Sequence, residues 1–94
     1  MRKIEKLMVD AVNTKKAFSL ANTTVSIHTD PRGINIPNVY LHGNHIATIE
    51  NGVLVVNRYT LKQWPSNTTK SRLRALGANV TTRKGITYLN NIAV

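Results

Sequence analysis

Val39-Tyr40-Leu41-His42-Gly43-Asn44-His45-Ile46-Ala47-Thr48-Ile49-Glu50-Asn51-Gly52-Val53-Leu54-Val55-Val56 is the stretch whose reading decides the fold. Three apolar runs, 39–42, 45–49 and 53–56, are separated by Gly43-Asn44 and by Glu50-Asn51-Gly52. Gly-Asn and Asn-Gly suit two-residue hairpin loops, because such loops hold their central residues at positive φ. The stretch therefore predicts three strands of an antiparallel meander. Upstream, Thr24-Val25-Ser26-Ile27-His28 alternates apolar and polar residues and predicts a fourth strand. Asp30-Pro31-Arg32-Gly33 is turn chemistry. Ile34–Pro37 reads as an irregular connection, since a proline cannot donate to a ladder.

Further out, Ile4, Leu7, Met8 and Ala11 follow the i, i+3, i+4, i+7 rule. They predict an amphipathic helix that docks on the sheet and ends between Val12 and Ala17. Residues 57–66 read as a polar connection containing Trp64 and Pro65. Ser66-Asn67-Thr68 offers caps for a short helix through Leu76, with Gly77 ending it. Val80–Thr82 and Ile86–Leu89 flank a turn at Arg83-Lys84-Gly85. The order predicts one α+β domain over residues 1–94: an N-terminal helix packed on an antiparallel β-meander, then a short basic helix and a C-terminal β-hairpin.

Charge is unevenly spread. Residues 51–94 carry Arg58, Lys62, Lys70, Arg72, Arg74, Arg83 and Lys84 and not one acidic side chain. The first 50 residues balance six basic groups against Glu5, Asp10, Asp30 and Glu50. A one-signed surface selects polyanions, and the net charge of +9 points to nucleic acid. On the second helix, Thr69, Leu73 and Leu76 cluster on one side at 100° per residue. Lys70 and Arg74 then share one flank and Arg72 takes the other. Arginine forks suit guanine edges, and hydroxyls such as that of Thr68 suit phosphates. Arg83 and Lys84 would lie on the neighbouring backbone, and Arg58 and Lys62 would extend the basic surface. The expected partner is nucleic acid, with duplex DNA favoured over RNA. Trp64 beside Pro65 reads first as an edge plug; stacking on an unpaired base is the other reading.

Other chemistries lack their parts. The four carboxylates are scattered, and no Gly-rich phosphate loop, His-Glu-x-x-His helix or nucleophile elbow occurs. A noncatalytic protein is expected. His42 and His45 flank a turn, and only Asp30 or Glu50 is available to complete a metal set, so neither metal nor cofactor is expected. With no cysteine there is neither a disulfide nor a thiolate site. The longest apolar run, Val53–Val56, is far too short to cross a membrane. A cytoplasmic protein with no membrane partner is expected, as a monomer or a homodimer.

Two resemblances add to this. Thr68-Thr69-Lys70-Ser71-Arg72-Leu73-Arg74-Ala75-Leu76-Gly77, then Val80 and Arg83-Lys84-Gly85-Ile86-Thr87-Tyr88-Leu89, resembles the recognition helix and wing of winged-helix DNA-binding domains. It covers roughly residues 66–90 and implies a helix in the major groove with a basic wing on the backbone. It departs from that family in having a strand meander where two helices should precede the recognition helix. Val39-Tyr40-Leu41-His42-Gly43-Asn44, Ile46-Ala47, Trp64 and Thr68-Thr69-Lys70-Ser71-Arg72-Leu73 resemble a pattern in small uncharacterised proteins of tailed bacteriophages. That implies an accessory or host-takeover protein in an infected bacterium, and an acidic host protein as the alternative partner.

Overall fold

The computed structural model describes every residue, Met1–Val94, as three helices and eight strands. Helix α1 (Lys3–Thr14) is followed by β1 (Phe18–Leu20), β2 (Thr23–Thr29), β3 (Asn35–Leu41), β4 (Asn44–Glu50) and β5 (Val53–Val56). Helices α2 (Arg58–Gln63) and α3 (Asn67–Ala75) precede β6 (Val80–Arg83), β7 (Ile86–Leu89) and β8 (Ile92–Ala93). The α+β expectation holds. Strands β1 to β5 form one antiparallel sheet in sequence order, and β6 to β8 form a second.

The meander turns where positive φ is available. His42-Gly43 (51° and 78°) joins β3 to β4, and Asn51-Gly52 (51° and 75°) joins β4 to β5. The first loop thus sits one residue earlier than Gly43-Asn44. Register fixes the inward face: Thr23 pairs with Leu41, Val25 with Val39 and Ile27 with Pro37. Pro37 is a correction to the irregular reading of 34–37. It lies buried within β3, but β4 pairs with β3 only from Asn38 onward. On that side Pro37 has no ladder to break. A bulge after Val39 leaves Ile46 unpaired, and its carbonyl accepts from the Asn57 N–H at 2.8 Å.

Three elements go beyond the expected order. In the 57–66 connection, the Asn57 side chain accepts from the Thr60 N–H at 3.1 Å and caps α2, which buries Thr60 and Leu61. Strand β1 folds back on β2 through Ala21-Asn22, and β8 folds back on β7 through Asn90-Asn91. Met8, Ala11 and Val12 of α1, five sheet residues, Leu61 of α2, Leu73 of α3, and Val80 and Leu89 of the small sheet form one apolar cluster. Helix α3 is the joint of the molecule, packing on α1, β4 and β6.

Candidate nucleic-acid interface

All three cations of α3 donate hydrogen bonds within the protein, and two of them are buried. Arg72 is only 3% exposed. Its Nη1 donates to Glu5 Oε2 at 2.9 Å, its Nε to Thr23 Oγ1 at 3.0 Å and its Nη2 to Asn22 Oδ1 at 3.4 Å. Lys70 is 7% exposed, and its Nζ donates to Thr82 Oγ1 at 2.7 Å. Arg74 remains exposed as a residue, but its Nε donates to the Val80 carbonyl at 2.7 Å. The placement of Lys70 and Arg72 on an outer, groove-reading face is therefore corrected. Lys70 and Arg74 tie α3 to the β6–β7 hairpin, while Arg72 ties it to α1 and to the β1–β2 turn. The reason is Glu5, itself buried, whose carboxylate needs a partner once α1 docks. Burial would push its carboxyl up. Hydrogen bonds from the Ser71 hydroxyl, the Arg2 backbone N–H and Arg72, with the Arg72 charge, outweigh that and hold it below the usual range. Glu5 shares a helix face with Met8 and Val12 at i, i+3, i+7, and a carboxylate on an apolar face is the sequence signal for such a pair.

The remaining site residues stay at the surface. Arg58 and Lys62 are exposed and lie four apart on α2, hence on one side of it. Arg83 and Lys84 are exposed at the β6–β7 turn, where Lys84-Gly85 has positive φ at both positions (50° and 77°). Lys62 and Gly85 line the same hollow of about 250 Å³, with Pro65, Ile86 and Thr87, so the end of α2 meets the tip of the hairpin. The Arg83 guanidinium carbon stands 4.0 Å from the Tyr88 ring centroid, a cation–π contact that props the side chain on the outer face of the small sheet. Thr68 is half-buried and lines a second, larger hollow instead.

Both ring nitrogens of His45 are occupied, Nε2 with Thr48 Oγ1 at 2.8 Å and Nδ1 with the Asn57 amide at 3.0 Å. No cluster of three His, Cys, Asp or Glu side chains occurs that would hold a metal ion. No helix is long and apolar enough to cross a membrane.

Residues 1–93 match the family model described as Kyanoviridae Gp96 protein. No curated protein and no solved structure matches the chain. Lys70 and Arg72, which the winged-helix likeness would set in a groove, are buried instead.

Proposed function

The chain belongs to the Kyanoviridae Gp96 protein family, and from that premise we propose that this small phage protein is a noncatalytic nucleic-acid-binding protein acting in the host cytoplasm. One observation carries the reading. Arg58 and Lys62 of α2 and Arg83 and Lys84 of the β6–β7 turn all stay exposed, Lys62 lines one hollow with Gly85 of that turn, and residues 51–94 contain no Asp or Glu to neutralise them. A surface of that kind attracts phosphate rails. With Lys70 and Arg72 turned inward, the support is for backbone contacts rather than for a helix reading duplex base edges.

Binding to a labelled oligonucleotide at several salt concentrations tests this. Four neutralised phosphates give log affinity a slope of about −3 to −4 against log salt. A slope near zero overturns the proposal. Recovery from bacterial lysate, with and without nuclease, tests the partner class. Nuclease-sensitive recovery is expected. A single stoichiometric protein that survives nuclease would instead make an acidic host protein the partner.

A further inference from the structure

The largest hollow of the molecule, about 610 Å³, lies between the β3–β4 turn and the α2–α3 connection. That is within the range of small-molecule sites. One wall is Trp64, which is 52% exposed. The rest of the polar lining includes His42, Asn44, Thr60, Gln63 and Thr68. No Lys, Arg, Asp or Glu side chain lines it. Amides, hydroxyls and an imidazole around a bare indole suit a flat, neutral ligand with hydrogen-bonding edges. On the other side of Pro65 lies the hollow that Lys62 and Gly85 line; Pro65 is a wall of both. The uncharged aromatic hollow thus shares a wall with one whose lining includes the Lys62 cation. Along the chain, Lys62 serves one, while Gln63 and Trp64 serve the other.

We infer that the Trp64 hollow takes an unpaired nucleobase, stacked on the indole, while the attached phosphates run past Lys62 and the β6–β7 turn. The inference rests on the nucleic-acid reading above and narrows it to strands with unstacked bases. A base is flat, neutral and edged with donors and acceptors, and its backbone supplies the anion that the adjacent hollow selects. A free sugar ring is also neutral and edged with hydrogen-bonding groups, but it is puckered and brings no phosphate.

Trp64 is the one tryptophan of the chain, so its fluorescence reports on this hollow alone. The protein is titrated with a single-stranded oligonucleotide, as DNA and as RNA, with the matching duplex, with an abasic strand of equal length, and with a neutral oligosaccharide. Quenching by the base-bearing single strands is expected, with affinity at least about tenfold above that for the abasic strand. Read by the anisotropy of a labelled strand, since these variants have no tryptophan, Trp64→Ala should lose that tenfold difference and leave the salt slope unchanged, while Trp64→Phe keeps most of it. Equal binding of base-bearing and abasic strands with the slope intact overturns the base site but spares the nucleic-acid reading. Failure to bind any polyanion overturns both. Quenching by the oligosaccharide but not by the single strands also overturns the base site.

Discussion

Glu5 and Arg72 are 67 positions apart in sequence and form the buried ion pair of the molecule. Removing one partner of such a pair leaves the other charge buried and alone, which costs about 3–5 kcal/mol. Glu5→Gln should therefore lower stability by roughly that amount at neutral pH, a large part of what a small domain has. Replacing both by methionine should cost less than the two single changes added together, which a double-mutant cycle reads. The pH dependence has a definite sign. The Glu5 carboxyl is held below its ordinary value of 4.5 in the folded state, so the unfolded chain takes up the proton first as pH falls. Its stabilisation is complete above that ordinary value and is lost as pH drops through the lowered one. Thermal unfolding from neutral pH downward should show the gap between wild type and Glu5→Gln closing in acid; a constant gap would sink the assignment. His42 offers an opposite case. It holds a left-handed φ of 51° in the first loop of the meander, where Asn relieves the strain that a bulkier side chain carries. His42→Asn should raise stability by up to about 1 kcal/mol. The same change removes an imidazole from the Trp64 hollow and should weaken single-strand binding, so stability and affinity move in opposite directions.

Among the elements, α3 and α2 exchange the roles that charge alone suggests. Helix α3 carries Lys70, Arg72 and Arg74 yet spends them on Thr82, Glu5 and Val80. Helix α2 carries only Arg58 and Lys62, and both face solvent. Lys70→Met should thus disturb how α3 seats against the hairpin and lower the melting temperature, while oligonucleotide affinity changes little. The pair Lys62→Glu with Lys84→Glu should do the reverse: stability within about 0.5 kcal/mol, as for ordinary surface changes, and a marked loss of affinity. Loss of affinity from Lys70→Met alone would return the interface to α3. The meander was legible because alternation and Asn-Gly chemistry are local, acting within a few residues. The α3 cap was legible for the same reason, and Ser66 indeed accepts from the Thr69 N–H at 3.1 Å. Helix α2 was missed because Tyr59 and Thr60 dilute its pattern, although Asn57 as cap and Pro65 as stop bracket it. The two-residue β8 and three-residue β1 are too short for any period to show. The fate of Arg72 was not legible from its own helix, because its partner Glu5 arrives from the other end of the chain.

For the whole molecule, salt should act in two opposite directions. Of the four carboxylates, Glu5 and Asp30 are held in ion pairs with Arg72 and Arg32, which leaves Asp10 and Glu50 against eleven unpaired cations. The free protein is therefore self-repelling, on a body only 43 × 27 × 20 Å. Raising salt from about 20 to about 200 mM shortens the screening length severalfold and relaxes that repulsion, so the melting temperature of the free protein should rise. The buried Glu5–Arg72 pair loses little in return, because screening reaches it poorly. On the proposed function, nucleic acid would supply its own counter-charge and bind the folded state. At low salt a saturating single strand should raise the melting temperature further, by about 2.7 kcal/mol of stabilisation at a hundredfold excess over Kd. That second gain should disappear at high salt, where phosphate contacts dissolve. Melting curves on a grid of salt and oligonucleotide concentration should thus cross: salt helps the free protein and hurts the complex. A free protein whose melting temperature falls with salt would mean that attraction between surface charges outweighs repulsion. In that case the basic surface would be spent within the fold rather than held open for a polyanion.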